Sequence, residues 1–247
     1  MSGPGEAALA LTFLTRLPVP STRDLGLGAL GRSIVWFPLV GALVGGVLGG
    51  TRLLADLALP PGPSTALALI AAILVTGGLH EDGLADTADG LGAHTNRERK
   101  LEIMRDPRVG TYGALALVSS FVLAWALLSD LDGLGCLQAG VVGHSLARWA
   151  MPVAATVFPP ARADGAGALM TVGRVRLGIA TATAGAITLV TAGPVPGLLA
   201  MAAALVTTLA VGAYATRAVG GITGDIHGAT GKAVELAAFI VLVAVWG

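Results

Sequence analysis

TALALIAAILVTGGL, residues 65–79, runs directly into HEDGLADTADGLG, residues 80–92. The first stretch is an apolar run of the kind that crosses a bilayer, and the second sets Asp82, Asp86 and Asp89 against its end. Charge at the end of a greasy segment is either a solvated helix terminus or a site held at the membrane surface. Which of the two applies depends on what the rest of the chain is.

The chain has 247 residues, of which 54% are hydrophobic and 12% charged, against about a quarter charged in ordinary soluble domains. Its mean hydropathy is +0.79, and its 36 glycines suit closely packed membrane helices. The composition implies an integral membrane protein. Formal net charge is zero, which gives no basis for a nucleic-acid partner. A single cysteine, Cys136, excludes an intramolecular disulfide. The apolar patch Ala7 to Leu14 is too short to span and lacks a basic flank, so it reads as an interfacial helix ending at Pro18 and not as a signal peptide.

Apolar runs near the roughly 20 residues that a bilayer requires fall at 34–56, 64–80, 111–129, 135–158, 177–193, 196–215 and 233–246. The expected fold is therefore all-α: a polytopic transmembrane bundle of about seven spans, six to eight at the limits. It forms one integral membrane domain over 1–247, with a short N-terminal arm over about 1–33. Basic residues orient it. Arg16, Arg23 and Arg32 precede the first span; Arg97, Arg99, Lys100, Arg105 and Arg108 follow the second; Arg162, Arg174 and Arg176 follow the fourth; Arg217 and Lys232 precede the last. Only Arg52 falls on the opposite side, and Arg148 lies inside the fourth span. The positive-inside rule then gives an N-in, C-out topology with the aspartates at the cytoplasmic end.

At about 100° per helical residue, Asp86 lies about 40° from Asp82 and Asp89 about 20° to the other side, so a continuing helix puts all three on one face. Glu81 points about 100° away and ranks below them. Three carboxylates so close repel unless protons or a cation intervene. Hard oxygen ligands suit Mg²⁺, with Mn²⁺ as a substitute. Two further stretches share the predicted side. RERKLEIMRDPRVGTYG (97–113) offers Arg105 and Arg108 for phosphate and Asp106 as another partner; a basic loop obeying the orientation rule would look similar. GGITGDIHGATGKAVELA (220–237) places Asp225 among glycines and Glu235 inside the last span. In GHSLARWAMP (143–152), Arg148 at membrane depth needs an anion, which could be an aspartate, a substrate phosphate or a structural partner.

HEDGLADTADGLGA, LEIMRDPRVGTYGALAL and GGITGDIHGA, with FLTRLPVP and WFPLVGALVGG near the start, resemble the cobalamin synthase family of adenosylcobinamide-GDP ribazoletransferases, in order from about residue 9 to 236. The resemblance implies a multi-spanning, Mg²⁺-dependent enzyme of the bacterial or archaeal cytoplasmic membrane, its active site towards the cytoplasm. Such an enzyme joins adenosylcobinamide-GDP to α-ribazole or its 5′-phosphate and releases GMP. Carried onto this chain, the acidic motif falls on Asp82, Asp86 and Asp89, as metal ligands with Asp89 as ligand or general base. Arg105, Arg108, Arg148, Asp106 and Asp225 follow as substrate-binding candidates. A homo-oligomer stays open. The rival reading is a transporter whose buried aspartates and Arg148 form a cation or proton path. Acids clustered towards one face favour the enzyme.

Overall fold

The computed structural model describes residues 4–19, 28–162 and 172–246. The helices are α1 (Pro4–Leu14), α2 (Ala29–Ser33), α3 (Phe37–Ala55), α4 (Pro61–Thr76), α5 (Leu79–Gly92), α6 (Arg97–Ile103), α7 (Thr111–Ser129), α8 (Gly133–Val157), α9 (Arg174–Ala192), α10 (Pro194–Val219) and α11 (Gly224–Trp246). Among the described residues no strand forms; a lone parallel bridge joins Pro160 to Ile222. The chain is a helical bundle, as the composition implies. Arg23, assigned above to the N-terminal arm, lies outside the described residues.

Each apolar run of the sequence has become a helix, but fewer meet the demands of a span than the seven expected. Among the described residues, five helical segments are long and apolar enough to cross a membrane, or up to six if the bent pair Pro61–Thr76 and Leu79–Gly92 counts as one. Two departures account for the difference. The run read as 64–80 stops at Thr76, because Gly77 and Gly78 both adopt left-handed backbone (φ 68 and 71), and the chain turns by 89° into α5. The amides of both glycines reach back to the Ile73 carbonyl, the manner in which a glycine closes a helix. The second is α8, 25 residues long and diluted by Gln138, His144 and Arg148, which it can carry because neighbouring helices surround it.

Helix α8 is the axis of the bundle. It packs on α3 through Gly41, Gly45 and Gly49, a small-residue stripe at every fourth position. A Cβ on any of these would collide with His144, Gly140 or Leu137 of α8. α11 lies against the other side of α8, where Phe239 fills the space over Gly143. Helices α3, α4, α7, α8, α9, α10 and α11 alternate in direction. One end of the bundle therefore gathers α1, α5, α6 and the start of α11, and the other gathers the α3–α4 and α7–α8 turns.

Arg52, read above as the lone basic residue of the far side, is not a loop charge. It is buried and binds Asp56 (2.7 Å), Thr65 (2.8 Å) and the carbonyls of Leu128 (3.1 Å) and Leu131 (3.2 Å). It thereby ties the C-termini of α3 and α7 to the start of α4 and meets their negative dipole ends.

Candidate active site

The 89° bend sends α5 across the end of the bundle, and its residues sort by face. Gly83 meets the start of α11: a Cβ there would lie 2.7 Å from the Asp225 carbonyl oxygen and 3.2 Å from the Gly228 Cα. Gly90 accepts the side chain of Met104, just past α6. This close approach brings Asp225 of α11 beside the α5 carboxylates. Asp82 is exposed, whereas Asp86 and Asp225 are half-buried. Among the described residues, none of the three forms an ion pair. Asp225 takes a hydrogen bond from Thr223 Oγ1 at 3.2 Å, and that hydroxyl in turn accepts from the Ile226 amide and caps α11. Burial, with the neighbouring carboxylates of Asp82, Asp225 and Asp89, pushes the Asp86 carboxyl up to about 6.

Asp82 and Asp225 line one small cavity of about 160 Å³ together with His80 and His227, two buried histidines with unpartnered ring nitrogens. On its other side Asp82 opens onto a cleft of about 590 Å³ that Arg16, Thr15, Glu81 and Val109 also line.

Asp89 is engaged differently. Its two carboxylate oxygens accept from the backbone amides of Gly110 (2.7 Å) and Gly113 (2.9 Å), at the N-terminus of α7. A carboxylate over the first turn of a helix is stabilised by its unpaired amides and dipole. The VGTYG spacing follows: a Cβ at Gly110 or Gly113 would collide with this carboxylate. Asp86 thus neighbours Asp82, Asp225 and Asp89, and of these Asp89 also pins α7 to α5.

Asp106 faces its own neighbour. It accepts from the Arg108 backbone amide, Nε and a terminal nitrogen, at 3.0, 2.9 and 2.7 Å, and the guanidinium holds its carboxyl down to about 2. Arg108 and Arg105 are exposed on the same loop.

Arg148 is separate from the aspartates. It is buried inside the bundle, 2.8 Å from His144 Nδ1 and 3.9 Å from Glu235 Oε2. Glu235 also lies 3.0 Å from His144 Nδ1 and accepts from Lys232 at 2.7 Å; Lys232 reaches on to Glu81 at 3.0 Å. One imidazole nitrogen cannot serve both neighbours: an unprotonated Nδ1 accepts from Arg148, and a protonated one donates to Glu235. The anion that Arg148 requires is therefore Glu235. Two residues placed lower by the sequence reading belong to this network. Glu81 does point away from the aspartates, towards Lys232, and Lys232 is 6% exposed where a loop position was expected. The signal for Lys232 was its spacing of three from Glu235 within one helix.

Among the described residues, no three carboxylate, histidine or cysteine side chains are placed to hold one ion. Two carboxylates without a cationic partner, Asp82 and Asp86, with Asp225 alongside, fit a cation bound through one or two carboxylates and completed by phosphate oxygens.

A model of the cobalamin-5-phosphate synthase family matches residues 6–243. Relatives named adenosylcobinamide-GDP ribazoletransferase include one from Bradyrhizobium diazoefficiens, 40% identical over 97% of this chain and 93% of its own. Those of Mesorhizobium japonicum (40%; 96% and 92%) and Shewanella amazonensis (38%; 96% and 94%) carry the same name. No solved structure matches.

Proposed function

The chain belongs to the cobalamin-5-phosphate synthase family, and on that footing we propose that it joins adenosylcobinamide-GDP to α-ribazole or its 5′-phosphate, releasing GMP. The observation that carries the reading to particular residues is the group Asp82, Asp86 and Asp225, like charges gathered at one end of the bundle, none of them in an ion pair among the described residues and with Arg162 and Arg105 near Asp225 alone. That is what a site for a metal-bound diphosphate requires, and a solvated helix end would have no reason to bring Asp225 in from another helix.

The step is an in-line phosphoryl transfer. The acceptor's ribose hydroxyl attacks the cobinamide-side phosphorus, the bond from that phosphorus to the bridging oxygen breaks, and GMP departs with the oxygen. Catalysis of such transfers is mainly positioning and charge neutralisation. Asp82 and Asp86 would hold Mg²⁺, or Mn²⁺ in its place, which when bound offsets the charge of the diphosphate. Asp225, which accepts a hydrogen bond from Thr223, is the carboxylate best placed to take the hydroxyl proton. Asp89 is less suited, since both its oxygens already accept amides. Arg105 and Arg108, exposed on the neighbouring loop, are the basic groups placed to meet phosphate, Arg108 by exchanging its pairing with Asp106. The transporter reading needs the aspartates and Arg148 along one path, but Arg148 is paired with Glu235 inside the bundle, apart from the aspartates. The bilayer in question is the cytoplasmic membrane, with the aspartate end facing the cytoplasm.

The test is GMP release from purified protein in lipid nanodiscs supplied with both substrates. Release should require both substrates and stop on chelation of divalent cations. GMP release without the ribazole substrate, or undiminished after chelation, would overturn the reading.

A further inference from the structure

Resting on that transferase reading, we infer that the interior cavity between α4, α7, α8 and α11 is the seat of the acceptor's base, an uncharged fused aromatic diazole. The cavity has a volume of about 410 Å³, within the roughly 300–1,000 Å³ of small-molecule sites. Most of its wall is apolar, with Leu69, Ile73 and Phe121 prominent, and Ala72 and Ala124 leave the space open.

Charge decides the class of ligand. Glu81, Glu235, Arg148 and Lys232 line the cavity, and their formal charges cancel. A phosphate or ammonium entering this space would add a buried charge without a partner, at a cost of several kcal/mol. A neutral ring adds none. Three of the lining side chains keep buried polar atoms without partners: Glu81 Oε2, His144 Nε2 and Arg148 Nε. Arg148 Nε carries a spare N–H whichever nitrogen of His144 holds the proton, and His144 Nε2 carries a second when Nδ1 accepts from Arg148. A pyridine-type ring nitrogen accepts such a donor, whereas a lipid acyl chain would leave all three unsatisfied.

Position agrees with chemistry. Thr76, Glu81 and Leu117 line both this cavity and the cleft onto which Asp82 opens. A nucleoside with its base in the cavity would extend its ribose through this junction towards Asp82, and any 5′-phosphate would remain outside with the exposed basic groups. The acceptor's base then sits within the bundle and the diphosphate at the aqueous end.

Direct binding tests this. In nanodiscs, α-ribazole and adenosylcobinamide-GDP are titrated separately by calorimetry into wild type, Ala72→Phe and Val118→Trp, the last at the cavity's exposed rim. Each variant should weaken α-ribazole by about tenfold or more and leave adenosylcobinamide-GDP affinity unchanged. On wild type alone, the free base should compete with α-ribazole and ribose 5-phosphate should not, a result that stands even if Ala72→Phe fails to fold. Unchanged α-ribazole affinity in a folded variant, equal weakening of both ligands, or failure of the free base to compete would overturn the inference. Absence of GMP release from wild type would sink the transferase reading instead, and is read in a separate assay.

Discussion

The two ends of the bundle treat charge in opposite ways. At the far end Arg52 is buried with Nε and both terminal nitrogens bonded, and its partner Asp56 sits at the surface. At the near end Asp82, Asp86 and Asp225 share a sign; among the described residues none of them forms an ion pair, and only Asp225 feels the charge of Arg162 and Arg105. Saturated charge is what a fold uses to hold its own turns. Unsaturated like charge costs stability and persists where something else is meant to complete it. The far end is thus structural, and the near end carries like charge that a bound cation would offset.

The sharpest way to break this contrast is to remove one near-end charge. Asp82→Asn and Asp86→Asn should fold normally yet lose more activity than the roughly 10- to 100-fold that an outer-shell partner of a metal costs, with partial recovery at high Mg²⁺ or Mn²⁺. Asp89→Asn should behave as a far-end residue would. An amide can accept from only one of the Gly110 and Gly113 amides, and its NH₂ would face the other, so thermal stability should fall without a change in Mg²⁺ dependence. GMP release measured across a Mg²⁺ titration separates the cases. Asp89→Asn shifting the Mg²⁺ requirement as far as the other two would return it to the ligand set.

That division marks where sequence stops being readable. Spans could be placed because hydrophobicity is a local property, and the Asp82–Asp86 pair because helical spacing is. Asp89 shares their face, and nothing within HEDGLADTADGLG separates it from them; its partners lie 21 and 24 residues on. Asp225 was visible as an acid among glycines, but its arrival at Asp82 depends on Gly83 and Gly228 letting two helices touch. The break at Gly77–Gly78 was legible in principle, since paired glycines after an apolar run suit a left-handed helix end. The interior network was not, because Glu81, His144, Arg148, Lys232 and Glu235 come from three helices and meet only in the packed bundle.

A second test acts on the far end. Arg52→Leu removes donors from two carbonyls, Thr65 and Asp56, and should cost about 2–3 kcal/mol of stability, in the range of hydrogen bonds to charged groups. Activity per folded molecule should hold, because Arg52 is on the opposite side of the bundle from Asp82. Thermal unfolding in nanodiscs gives the first quantity and GMP release at a permissive temperature the second. A variant with unaltered stability would show that the arginine's contacts do not hold the far end.

The smallest effect is a pH dependence that only the near end should show. The Asp86 carboxyl is raised from 3.8 to about 6 in the folded chain. A raised carboxyl means that the folded state binds the proton more tightly than the unfolded one, so its contribution is fully present below about pH 4 and is lost as pH rises through about 6. In chelator, the unfolding midpoint of wild type should therefore decline across this window relative to Asp86→Asn, which has no proton to release there. The decline should be modest, since Asp86 is only half-buried and water screens its neighbours. Added Mg²⁺ should reverse the decline above pH 6 and do little below pH 4, where the carboxyl is protonated and cannot bind the cation. Parallel curves for the two proteins through the window would mean that the near-end carboxylates do not strain one another, and the contrast between the two ends would then rest on Asp82 alone.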